Sequence, residues 1–142
     1  MKRPLLPALL VLGTALLLGG CASYDAQVDK GRGFAKIQRF FVLSNLNDNH
    51  GLDHQLAESL KARGREAETG PLTMMPDNTQ VVVSYQDHWT WDFGDHLIFL
   101  QISVRDVRSE QPFATVTYSA KVPSRDTAAT TVGQLVDRLL GK

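Results

Sequence analysis

Along His96–Asp106 (HLIFLQISVRD) the side chains alternate in a way only a sheet can use. Successive residues of a strand point to opposite faces, so Ile98, Leu100, Ile102 and Val104 go one way. Leu97, Phe99, Gln101 and Ser103 go the other. The pattern returns over Phe113–Lys121, with Ala114, Val116, Tyr118 and Ala120 on one face. Ser109-Glu110-Gln111-Pro112 is turn chemistry, so the two segments predict a hairpin. Pro123 lacks the N–H a ladder needs and ends the second strand.

A hairpin that is apolar on one side needs a cover. Two helical patterns supply it. Leu52, Leu56 and Leu60, with Ala57, recur at helical spacing; Gly64 stands where a C-terminal cap belongs, and Asp48 or Asn49 can cap the start. The helix is expected at about 52–63. Val132, Leu135, Val136 and Leu139 follow i, i+3, i+4, i+7, with Gly141 just beyond, predicting a closing helix that starts between Asp126 and Thr131. Arg39–Ser44 (RFFVLS) reads as the first strand and Arg65–Thr69 as a short edge strand. Gln80–Tyr85 (QVVVSY) reads as a central strand, its three valines buried on both faces. A helix joins the first strand to Val81–Tyr85, so those two are expected to run parallel. Residues 45–51 and 70–78 are loops. The fold class is therefore α+β: a two-layer sandwich, with a mostly antiparallel sheet and two helices on one face.

The chain ahead of this body has a different character. Lys2 and Arg3 precede an apolar run, Leu5–Leu18, broken by Pro7, Gly13 and Thr14. As a helix it is about 21 Å long, short of the about 30 Å hydrocarbon core but right for a secretory h-region. The only cysteine, Cys21, follows Leu18-Gly19-Gly20. An ordinary secretory signal needs only the small pair; a cysteine directly behind it favours lipidation. Leu18-Gly19-Gly20-Cys21 resembles the lipobox of bacterial lipoproteins. The resemblance implies diacylglyceryl transfer to the Cys21 thiol, cleavage before Cys21 and acylation of the new N-terminus, giving the several chains that stable anchoring requires. Ala22, rather than Asp, in the following position implies sorting to the outer membrane, facing the periplasm. The expected organisation is a signal peptide at 1–20, a lipidated tether at 21–36 reaching about 20 Å, and a periplasmic α+β domain at 37–142.

The 122 residues from Cys21 onward suit one domain. With one cysteine, the domain stands without disulfides. Without Lys2 and Arg3 the balance is 13 basic to 15 acidic residues, which disfavours nucleic acid and anionic lipid as charge-driven partners.

Phe40-Phe41-Val42-Leu43, then Leu60-Lys61-Ala62-Arg63-Gly64 ending a helix, Val81-Val82-Val83-Ser84-Tyr85, a tryptophan-bearing hairpin and a closing helix follow in order. Over roughly 39–140 this body resembles small bacterial outer-membrane lipoproteins of unknown function. That resemblance implies a fold and a place, and carries no catalytic residue.

Two constellations bear on chemistry. His50 and His54 stand four apart, a ligand spacing on a helix. Gly51 places His50 before the helix, however, and no Glu follows it as in zinc proteases. Asp87–His96 (DHWTWDFGDH) packs three aromatics, three acids and two histidines into ten residues. Trp89, Trp91 and Phe93 alternate and are the candidate partner-binding residues, as a platform for a protein, glycan or lipid. The same rings would serve equally to close one end of the core, with Gly94-Asp95 in the turn. Asp92 and Asp95 flank that turn and form no acid–base set; Ser84 lacks a nucleophile elbow, and Gly31-x-Gly33 lacks a phosphate-loop context. No catalytic, metal or cofactor residue is assigned. The expectation is a non-enzymatic, lipid-anchored envelope protein with a structural or adaptor role, holding the membrane through Cys21 and an envelope protein through its surface. The alternatives are a module binding a small molecule or lipid between sheet and helices, and a metal-binding or hydrolytic protein using His50, His54, His88 or His96.

Overall fold

The computed structural model describes residues 21–142; the signal-peptide reading of 1–20 lies outside the described residues. Six strands form one mixed sheet: β1 (Ser23–Val28), β2 (Arg39–Leu43), β3 (Glu66–Gly70), β4 (Val81–Trp91), β5 (Asp95–Asp106) and β6 (Pro112–Ser119). Two helices, α1 (Leu52–Lys61) and α2 (Ala128–Leu140), complete the α+β fold. The spatial order is β1-β6-β5-β4-β2-β3. β4, β5, β6 and β1 pair antiparallel in succession, while β2 runs parallel to both β4 and β3.

Alternate residues of these strands share one core with both helices. Phe40, Val42, Val81, Val83, Tyr85, Leu100, Ile102, Val104, Val116 and Tyr118 meet Leu52, Leu56 and Leu60 of α1 and Val132, Leu135, Val136 and Leu139 of α2. The reverse face is mostly polar over β5 and β6, apart from the half-buried Phe99, and is apolar and buried at Phe41 and Val82. A short 3₁₀ turn, Leu72–Met74, follows β3. It brings Met74 against Gly70, where an added Cβ would stand 3.6 Å from Met74 and 3.6 Å from the Phe41 ring.

The helices are joined by one side chain. Arg63, just past α1, donates Nη2 to Asp137 Oδ2 at 2.9 Å and to the Gly133 carbonyl at 2.9 Å, and Nη1 to Ser59 Oγ at 2.9 Å. A Cβ at position 133 would come within 3.3 Å of that guanidinium, so glycine leaves it room to approach α2. The hydrogen bond from Arg63, against a smaller opposing effect of burial, holds the Asp137 carboxyl below its ordinary range.

Three expectations need correction. Residues 22–36 are not a free tether. Ser23–Val28 adds β1 to the sheet, with Tyr24, Ala26 and Val28 opposite Tyr118, Val116 and Ala114. Beyond it Arg32 Nη2 bonds Asp106 at 2.6 Å, its guanidinium lies 4.4 Å from the Phe113 ring centre, and Phe34 is buried between Phe40 and Phe113. The strand gains its stability from β6, which no local pattern in SYDAQV reports. Next, β4 runs on to Trp91 rather than ending at Tyr85. Last, the β4–β5 register shifts between His88↔Phe99 and Trp89↔Leu97, leaving Ile98 as an extra residue on β5. That bulge swaps the faces beyond it, so Leu97 enters the core and Ile98 stays half-exposed.

Leu135→Ala is expected to lower stability by about 2–5 kcal/mol, because its side chain is fully buried in the core between α2 and the sheet and its loss leaves a cavity. Urea unfolding checks this; a shifted midpoint with an unchanged slope is the expected result.

Candidate functional site

Residues 45–51 link β2 to α1 and are organised by one carboxylate. Asp48 Oδ1 accepts from the His50 N–H at 2.7 Å; Oδ2 accepts from the Leu52 N–H at 2.6 Å and from the Tyr85 hydroxyl at 2.7 Å. Asp48 therefore satisfies a first-turn donor of α1 from outside the helix, while Gly51 takes the left-handed conformation at φ 67° that brings the chain round. Burial pushes the Asp48 carboxyl up, but the hydrogen bonds from Tyr85 and from the His50, Leu52 and Asp53 N–H groups outweigh it and hold it below its ordinary value. Burial, and then Asp48 itself, drive the Tyr85 hydroxyl far up. Asp53, the one buried acid of α1, accepts from Ser44 Oγ at 2.9 Å and Thr69 Oγ1 at 3.0 Å. Burial opposes its ionisation, but Ser44, the His54 N–H and Thr69 together lower its value.

With the loop held this way, His50 lies flat on Trp89, ring centres 3.6 Å apart and planes 10° from parallel. His50 Nε2 is 3.1 Å from Asp95 Oδ2, and Trp89 Nε1 donates to Asp87 Oδ2 at 2.6 Å. These groups border an open cleft of about 460 Å³ lined by Asn45, Asn47, Asn49, His50, Gln86, Asp87, His88 and Trp89. The ligand-capable atoms of Asp48, His50 and Asp87 fall within 4.8 Å of one another. Protein donors already hold both oxygens of Asp48 and one of Asp87. The arrangement reads as a hydrogen-bonded clasp between the loop and the hairpin.

The other sequence candidates are spread out. His54 faces the groove between the helices, with Arg63 and Gly133, and does not join His50 in the cleft. His88 meets Phe99 edge-on at 5.5 Å, and His96 Nε2 is 3.0 Å from the Asp92 carbonyl. Trp89 is half-buried against the core, whereas Trp91 is 72% and Phe93 97% exposed. Trp91 and Phe93 form their own pair, centres 6.1 Å apart. Phe93 is not on the strand face expected for it. It sits in the three-residue turn between Trp91 and Asp95, at φ 51°, where a bulky side chain is strained. Asp48 and Tyr85 went unassigned from sequence except for the capping expectation at Asp48, because the contact between them is made only when β4 passes under the loop.

No family model matches the chain, and no curated protein matches it. Among solved structures, the fold is similar to PelC dodecamers from Paraburkholderia phytofirmans. A point variant in one crystal form is 16% identical and the protein in another form 14%; each has a TM-score of 0.59 and covers 84% of this chain and 95% of that one. A minor lipoprotein from Acinetobacter baumannii aligns with 13% identity and a TM-score of 0.30, over 73% of this chain and 83% of its own, a likeness too slight to carry an argument.

Asp48 and Asp53 have depressed folded values, so each contributes stability that is present above the ordinary Asp range and lost as pH falls through the folded value. The urea midpoint is expected to drop as pH falls below about 5 and on through the lowered folded values. Asp48→Asn should be less stable at neutral pH by about 1–3 kcal/mol and show a shallower acid decline. A parallel decline in the two proteins would contradict the role given to Asp48.

Proposed function

We propose that this chain is a lipid-anchored protein of the outer membrane, facing the periplasm, whose work is structural or adaptor-like rather than catalytic. The observation that carries the reading is the position of Cys21. The sole cysteine is exposed and free, two residues ahead of the start of β1, behind the apolar N-terminal pattern. A thiol there can be acylated without disturbing the core. The chemistry at the cleft supports a non-catalytic role, since Asp48 holds the loop and Asp87 accepts from Trp89. The space between sheet and helices, where a bound lipid would sit, is filled by Leu52, Leu56, Val132, Leu135 and Val136. No helix among the described residues is long and apolar enough to cross a membrane.

A second reading, self-assembly, is favoured by the likeness to a dodecamer and by the edges of the sheet. β1 and β3 each present one unpaired side, and such edges are ready templates for another chain. Sedimentation of the purified chain tests it. A discrete higher oligomer is expected, and a monomer at every concentration ends this reading.

Cys21→Ser is expected to leave the fold unchanged by circular dichroism and to release the protein from the outer-membrane fraction. A Cys21→Ser chain that still fractionates with outer membranes would remove the lipid from its proposed role.

A further inference from the structure

Pairing across the sheet shows which groups share its ends. Ser23 of β1 lies opposite Ser119, Ser119 opposite Phe99, and Phe99 opposite His88. Measured from that row, Trp91 stands three residues further along β4, about 10 Å, and Cys21 two residues further along the line of β1, about 7 Å. The attachment point and the β4–β5 tip therefore project from the same end of the sheet to nearly the same height, with Phe93 at the tip itself. Val122, 60% exposed, leaves that end after β6, and Leu46, fully exposed, leaves it after β2. Of the other exposed large apolar side chains, Leu72 and Met74 lie in the 3₁₀ turn that leaves the same end after β3, beyond the shorter parallel strands, and Val28 stands at the opposite end of β1.

We infer that the hairpin tip, Trp91 with Phe93, is a second membrane contact that enters the lipid surface beside the Cys21 anchor. The inference rests on the anchoring proposed above and adds an orientation to it. With the sheet beginning at Ser23, an acylated Cys21 holds this end against the bilayer instead of letting the body hang about 20 Å away. Two rings at that height then meet the interface, the region where tryptophan is enriched in membrane proteins. Phe93 supports this use: it holds a strained conformation while giving almost none of its surface to the protein. Charge points to a zwitterionic surface. Asp92 and Asp95 flank the tip and Lys121 is the basic residue beside Val122, so attraction to anionic lipid contributes little and apolar burial carries the contact.

Trp89 and Trp91 are the only tryptophans, which makes fluorescence specific. The full chain, expressed in a Gram-negative host and purified, is placed in phosphatidylcholine–phosphatidylethanolamine vesicles with or without brominated acyl chains. Its intact mass is read from the same sample. Trp91→Phe supplies the Trp89 background. The Trp91 contribution is expected to shift to the blue and to fall about twofold with brominated lipid, with no dependence on salt. An acylated, vesicle-bound chain whose Trp91 is unquenched overturns the inference while leaving the anchor standing, and hands the tip to a protein partner. Quenching in a chain without acyl mass sustains the tip contact and removes the anchor. Absence of both acyl mass and quenching ends both readings.

Discussion

Val81, Val82 and Val83 have to bond two neighbours and hide both faces at once. β4 is the strand where the parallel half of the sheet, β2 and β3, meets the antiparallel half, β5, β6 and β1. Val81 and Val83 face the helices and Val82 faces the other way with Phe41, all of them about 1% exposed. A strand in that position cannot slip by one residue without exposing one face and burying the polar side chains of the other. The register of β2 against β4 in turn sets where α1 starts, since only the loop from residue 44 to 51 separates them. The register of β5 against β4 sets how far the hairpin projects.

The same strand builds the clasp. Along β4, Tyr85 reaches Asp48 from the core side and Trp89 receives His50. One loop is thus tied to one strand by a buried hydroxyl, a carboxylate and a ring stack, with His50 reaching Asp95 across the turn. A buried polar network of this kind is worth having only when its members are satisfied, and Asp48 is satisfied three times over. The loop is dense in Asn, Asp and Gly, yet Asp48 and His50 tie its second half to β4 and the hairpin. Past the bulge at Ile98 the hairpin leaves the protection of the helices, and its last aromatic pair turns to solvent.

Under the proposed anchoring, the way the body would meet a membrane changes once β1 is part of the sheet. A flexible segment of fifteen residues would leave the domain free to turn. A strand beginning at Ser23 leaves one residue, Ala22, between Cys21 and the six-stranded sheet. The two ends of that sheet then cease to be equivalent: one faces the bilayer under the proposed anchoring, and the end carrying Val28 and the β5–β6 turn faces away.

Strong periodicity made part of the fold legible from the residues alone. The alternation of Leu100, Ile102 and Val104, the three valines of β4, and the i, i+3, i+4, i+7 spacing of Val132–Leu139 each record a face that must be buried, so both helices, the β5–β6 hairpin and the parallel pairing of β2 with β4 were readable. Other features depend on a partner far along the chain for their stability or geometry, and those emerge only on folding. β1 exists because β6 offers it a ladder, and the Leu97–Ile98 reversal arises from a bulge that costs no change in residue type. The aromatic trio divides for the same reason. Trp89 is drawn against the core by the clasp with His50, while the turn holds Phe93 off the strand, and no spacing of residues along one segment records either event.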